Sequence, residues 1–312
     1  MFLKTRFPLA LRPLLLAVLV AGFLPAAGLA HAAPDTEKNL VIFGDSVLAD
    51  PPLGIYLANE NSSGEPVDLS GSVASASSRE GIGVGSVGSS AGDIEGICPR
   101  SLNNYGIRAA ETLNLAVYDH SCNGATVLPR NSALFPNDEL FEWQVDRALE
   151  EGALGPQTAR VIVTLGFNDT YSNATRPEDE TRERFLAAGT EQIQRVRAAA
   201  PQARVQIVGY TTIAGGDFIC LAHLPGSSAT KIPLPVVNYW EGQAQEWQRD
   251  LAAATGVEFL DLKPSTADTG ICAPDSLRMW TSPVDAGSGR SHLPFHLNQR
   301  GHEHVGAVIA AS

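Results

Sequence analysis

Asn39-Leu-Val-Ile-Phe-Gly-Asp-Ser46 is an apolar run that ends abruptly on a Gly-Asp-Ser turn. Residues 40–43 are large and apolar without alternation, the pattern of a strand buried on both faces of a parallel sheet. Gly44 lets the chain turn sharply as it leaves such a sheet, and Ser46 then stands at the carboxyl edge. Ligands of open α/β sheets bind at that edge. A hydroxyl placed there, with its own N–H turned toward the same space, is a candidate nucleophile. Taken alone, however, a strand ending in Gly-Asp-Ser is also an ordinary turn.

Four further short apolar segments, 115–118, 160–164, 204–208 and 257–260, bring the expected parallel strands to five. Stretches of helical period lie between them. Residues 102–113 follow Ser101, a suitable N-cap. Residues 177–200 place Phe185, Ile193 and Val196 inward and are closed by Pro201. Residues 237–255 carry Trp240, Ala244, Trp247 and Leu251 at helical spacing before Gly256, which reads the tryptophans as core or groove lining. Strands alternating with helices argue a doubly wound α/β sheet. Residues 59–96 break the rhythm, being dense in Ser and Gly, and read as a long excursion at the active edge. Its Gly83-Val-Gly-Ser-Val-Gly88 and Gly88-Ser-Ser-Ala-Gly92 imitate a dinucleotide loop and a nucleophile elbow. Neither has the strand before it and the helix after it that would give it meaning.

Lys4, Arg6 and Arg12 precede an apolar run over 13–24, and Ala30-His-Ala32 offers a small-x-small cleavage site. This is the order of a secretory signal peptide over 1–32, and the run falls short of the ~20 residues that span a bilayer. About 280 residues then remain, within reach of one α/β domain over 33–312. With 18% charged residues and a net charge of −12, a nucleic-acid partner is disfavoured. No stable membrane insertion is expected, and the anticipated state is an exported monomer. Cys98, Cys122, Cys220 and Cys272 are an even set, which in an exported protein favours two disulfides. A zinc site is the competing reading, but no CxxC pair exists.

Three more segments fall at expected strand ends. In Cys122-Asn-Gly-Ala-Thr126, Gly124 can present its backbone N–H to an anion without a side chain in the way. In Thr164-Leu-Gly-Phe-Asn-Asp169, the Asn168 amide can donate to the same anion. Phe295-His-Leu-Asn-Gln-Arg-Gly-His302 lets Asn298 cap a last helix and leaves His296 just before it at the active edge.

In this order the four segments resemble the SGNH (GDSL-type) hydrolase family. The stretches Cys98-Pro-Arg-Ser-Leu-Asn-Asn-Tyr105 and Asp119-His-Ser-Cys-Asn-Gly-Ala-Thr126 are similar to its secreted actinobacterial esterases and lipases. The resemblance implies a flavodoxin-like three-layer α/β/α fold and a secreted, cofactor-free carboxylic ester hydrolase that holds no metal and acts on a small-molecule or lipid ester. It implies Ser46 as nucleophile, His296 as base, and Ser46, Gly124 and Asn168 as oxyanion donors, with Asp45 buttressing the turn. It also implies the disulfides Cys98–Cys122 and Cys220–Cys272. The family commonly carries Asp three residues before the catalytic His, where this chain has Leu293. The expectation is therefore a Ser46–His296 dyad whose imidazole is oriented by the Leu293 carbonyl. Asp285, Asp275 and Asp268 are rival triad members, and His292 and His302 rival bases. Acyl transfer to a sugar or lipid hydroxyl is the alternative activity, and a non-catalytic binding protein the alternative from another class.

Overall fold

The computed structural model describes residues 38–54, 98–131, 139–224, 229–286 and 293–312. The leader, the 59–96 excursion with its two glycine patterns, and His292 lie outside them. All the described residues fall within one compact unit, Thr36–Ser312.

Five parallel strands make the central sheet: β1 (Asn39–Gly44), β2 (Ala116–Asp119), β3 (Thr158–Thr164), β4 (Arg204–Val208) and β7 (Glu258–Leu260), in the order β2-β1-β3-β4-β7. The order reverses between β1 and β3, so their carboxyl ends border the crevice where open α/β sheets bind ligands. Alternation along the strands sends Val41, Phe43, Val161, Val163, Val205 and Ile207 to one face. There they meet α3 (Phe141–Glu150), α5 (Glu178–Ala199) and α6 (Pro235–Thr255) through Phe141, Val145, Phe185, Ile193, Trp247 and Leu251. Leu40, Ile42 and Ile162 take the other face, against Tyr105 and Ala109 of α2 (Tyr105–Leu113) and Val305 and Ile309 of α8 (Gln299–Ala311). These are the three layers of an α/β/α fold, with both sheet faces covered.

Local chemistry sets the ends of these helices. Glu178, Asp179 and Glu180 occupy the first turn of α5, where negative charge suits the helix dipole. Gly256 ends α6 in the left-handed region at φ 64°. Asn298 caps α8 by accepting the Gly301 N–H. Ser101 does not cap α2: its hydroxyl accepts the Asn103 N–H, and the N-cap is the fully buried Asn104, which accepts from Ile107 N–H. Asn104 wins because its amide is also bonded, at 2.7 Å, to Asp119 at the end of β2.

A second, small sheet lies outside the expected pattern: β5 (Phe218–His223) pairs antiparallel with β6 (Thr230–Pro233) and parallel with β8 (Val284–Asp285). Short, mixed-polarity strands of this kind carry little periodic signal. The sheet is joined to what precedes β8 by a Cys220–Cys272 disulfide, and a Cys98–Cys122 disulfide ties the lead-in to α2 to the turn after β2. No described helix is long and apolar enough to cross a membrane.

Reducing the protein should lower its thermal midpoint, each cross-link contributing about 2–4 kcal/mol. Peptide mapping without reduction should recover Cys98 with Cys122 and Cys220 with Cys272; a crossed pair would contradict this arrangement.

Candidate active site

Ser46 opens α1 (Ser46–Ala49) directly beyond β1. Gly44, expected to supply a sharp turn, is instead ordinary extended backbone within β1. What it supplies is space: a Cβ there would lie 2.9 Å from Leu48 Cδ1 and 3.3 Å from the Thr164 carbonyl oxygen. Asp45 is the N-cap, accepting the Val47 N–H at 2.9 Å through Oδ1. Its Oδ2 accepts from the Tyr210 hydroxyl at 2.6 Å. Burial pushes the Asp45 carboxyl up to about 6, against the Tyr210 and Val47 hydrogen bonds, which pull it down.

His296 comes to this point from the far end of the chain. Its Nε2 lies 2.7 Å from Ser46 Oγ, and its Nδ1 lies 2.8 Å from the Pro294 carbonyl oxygen. The orienting carbonyl is thus Pro294's and not the expected Leu293's, which accepts the backbone N–H of His296 at 3.2 Å. The cause is Phe295, held in the left-handed region at φ 62° by bonding its N–H to the Thr281 carbonyl. Because a carbonyl only accepts, the proton sits on Nδ1. Nε2 is then left with its lone pair toward the serine hydroxyl.

The other residues singled out from sequence fall around this pair in different ways. Gly124 takes φ 73° in the turn after β2, and the Cys122 N–H donates to the Gly44 carbonyl at 3.0 Å, which docks that turn on the end of β1. Asn168 does not sit in an irregular strand-to-loop turn but in the first turn of α4 (Phe167–Ser172), a helix the sequence reading lacks. One Nδ2 proton goes to the Ala125 carbonyl at 3.0 Å, and Oδ1 accepts from the Tyr171 hydroxyl at 2.8 Å. Both ends of the amide are thereby fixed, and the second Nδ2 proton is the one available to an anion. The Ser46 N–H, at the first helical position, has no acceptor inside its own helix.

The rivals among the described residues lie elsewhere. His302 is buried in α8, accepts the Tyr105 N–H at Nδ1 and stacks on the Tyr105 ring at 5.7 Å. Asp285 is engaged by Arg278 and the Ser282 N–H, Asp275 by Arg278 at 2.8 Å, and Asp268 is exposed. Tyr171, Tyr210 and Asp169 are the contacts that motif reading passes over. Tyr171 stands three residues after Asn168, the spacing that puts two side chains on one helix face. Tyr210 lies just past the end of β4, where the carboxyl-edge rule would have pointed.

Residues 82–304, well over half the chain, match the GDSL-like Lipase/Acylhydrolase family. The chain belongs to that family. It is accordingly a carboxylic ester hydrolase. The matched span contains Gly124, Asn168 and His296 and begins after Ser46. Lipase 2 of Streptomyces coelicolor is 27% identical over 232 residues, which are 66% of this chain and 74% of that protein. Among solved structures, phospholipase A1 from Streptomyces albidoflavus NA297 aligns over 88% of this chain and 98% of its own with TM-score 0.48 and 17% identity. The extracellular lipase from Streptomyces rimosus aligns over the same shares with TM-score 0.47 and 16% identity.

Asp169, next to the oxyanion candidate, accepts the Val127 and Leu128 N–H groups at 3.0 and 2.8 Å on Oδ1. Burial pushes its carboxyl from 3.8 up to about 7. A raised carboxyl holds its proton in the folded state over a range where the unfolded chain has lost it. Asp169 therefore favours folding less and less as pH rises from about 4 to about 7. Asp169→Asn retains the Oδ1 acceptor and should show a shallower decline in thermal midpoint across that window. An unchanged slope in parallel melts would contradict the assignment.

Proposed function

We propose that this family member is a secreted serine esterase or lipase in which Ser46 is the nucleophile and His296 the general base. The observation that carries the reading is the Nε2–Oγ contact of 2.7 Å, made by an imidazole whose other nitrogen faces the Pro294 carbonyl. A serine hydroxyl is a weak nucleophile until a neighbouring base takes its proton. As Oγ attacks the ester carbonyl carbon, its proton passes to Nε2, and the carbonyl oxygen becomes an oxyanion. The backbone N–H groups of Ser46 and Gly124 and the free Asn168 amide proton are the donors assigned to that oxyanion. Collapse returns the proton from Nε2 to the departing alcohol and leaves an acyl-serine. Water then attacks the acyl carbon, giving its proton to Nε2, and Ser46 leaves with that proton as the acid is released.

The partner of Nδ1 is neutral in this reading. The transient imidazolium is oriented by a dipole where a carboxylate would add a full opposite charge. Export is supported by the signal-like order of the first 32 residues and by two disulfides, which persist in oxidising surroundings.

Ser46→Ala should lower p-nitrophenyl ester turnover by at least ~10³-fold with little change in melting, and His296→Ala should fall comparably. Asn168→Ala should lose about 10²–10³-fold. Singly replacing Asp268, Asp275 or Asp285 by Asn should change kcat by less than about tenfold, against ~10⁴ for loss of a true triad carboxylate. An active Ser46→Ala protein would overturn the nucleophile. One Asp→Asn variant that stays folded yet loses thousands-fold would overturn the carbonyl-oriented pair.

A further inference from the structure

Tyr210 reaches from the end of β4 into the joint between the two halves of the site. Its side chain is buried, with the ring edge-on to Phe167 at 5.8 Å. Its hydroxyl makes two bonds of opposite sense. It accepts the Phe167 N–H at 3.2 Å and donates to Asp45 Oδ2 at 2.6 Å. Phe167 opens α4, the helix that carries Asn168 in its first turn. Asp45 caps α1, the helix that opens with Ser46. A single oxygen atom thus bridges the N-termini of the two short helices that bear the nucleophile and the side-chain oxyanion donor.

We propose that Tyr210 is a positioning residue for ester hydrolysis, its hydroxyl setting the spacing between Ser46 and the Asn168 amide. This rests on the roles given to those two residues above. Helix α1 has four residues and α4 has six, too few to hold themselves by their own hydrogen bonds. Each depends on what grips its first turn. Asp45 is gripped by Tyr210 from outside its own helix, and the Phe167 N–H is a first-turn donor that the helix itself cannot satisfy. Removing the hydroxyl leaves the ring to fill the same core volume while both helix ends lose their common anchor. The effect belongs on the chemical step, because the oxyanion exists only after Ser46 has attacked. Misplacement by about 1 Å of a group that acts there costs up to ~10²-fold.

The test is Tyr210→Phe, assayed with p-nitrophenyl butyrate and normalised to sites titrated by an organophosphonate. The expected result is a kcat lower by about 10- to 100-fold with KM within about twofold of wild type. Asp45→Asn keeps the Oδ1 acceptor for Val47 and loses the charge that receives the tyrosine proton, so it should fall similarly. The double variant should fall no further than the worse single one. A hydroxyl that serves stability alone would lower the melting temperature on removal and leave kcat per titrated site unchanged, and that result overturns the proposal. If Tyr210→Phe does not fold, Asp45→Asn decides: wild-type kcat there overturns the bridge. Ser46→Ala run alongside separates the levels. Activity in that variant defeats the nucleophile assignment, whereas an inactive Ser46→Ala beside a fully active Tyr210→Phe defeats only the tyrosine bridge.

Discussion

The last peptide of β1 is gripped from two sides, and the site depends on that grip. Gly44 donates its N–H to Gln144 Oε1 at 3.0 Å, and its carbonyl accepts both Gln144 Nε2 at 2.9 Å and the Cys122 N–H at 3.0 Å. One residue later, the Asp45 N–H donates to the Thr164 carbonyl at the end of β3. Gln144 is fully buried in α3, so one helix face, the turn after β2 and the end of β3 all report to the same two residues. Buried peptide groups left unpaired cost about 1–3 kcal/mol each. The backbone that presents Ser46 is therefore held in one place, and it needs glycine at 44 because the neighbours come too close for a Cβ.

Around that fixed point the other groups are hung by hydrogen bonds to backbone. Asn168 hangs from the Ala125 carbonyl, which adjoins Gly124, and His296 hangs from the Pro294 carbonyl. His296 is also pinned through its main chain, since its carbonyl accepts from Thr281 N–H at 2.8 Å. Backbone anchors of this kind do not titrate, so the Asn168 and His296 side chains take their orientation from neutral partners. The raised carboxyls, Asp45 and Asp169, instead sit beneath the site as acceptors for first-turn and loop N–H groups.

The five strands were legible because a strand buried on both faces is apolar throughout, and each expected segment overlaps an observed one. The positions of Ser46, Gly124, Asn168 and His296 were legible because each follows a strand or precedes a helix at a recognisable spacing. The rest was hidden for identifiable reasons. Residues 218–223 alternate poorly and 284–285 are only two long, so the second sheet left no period to find. Asn168 reads as a turn residue by propensity, yet Gly166 at φ 126° starts a helix there. The exchange of Leu293 for Pro294 turns on one backbone angle at Phe295, a residue type that rarely takes positive φ. The Tyr210 bridge joins residues 165 positions apart along the chain, and nothing local encodes it.

The two cross-links share a location that gives them a further meaning. Cys122 lies two residues before Gly124. Cys220 accepts the Ser282 hydroxyl at its carbonyl, beside the Thr281 that pairs with Phe295 and His296. One bond therefore underlies the turn that carries Gly124 and the other the segment that carries His296. The central sheet, by contrast, is held by packing and carries no sulfur bridge among its strands apart from its neighbouring turns. The sulfur bridges thus brace the loops around the edge where Ser46 and His296 meet, and leave the strands beneath them to packing alone.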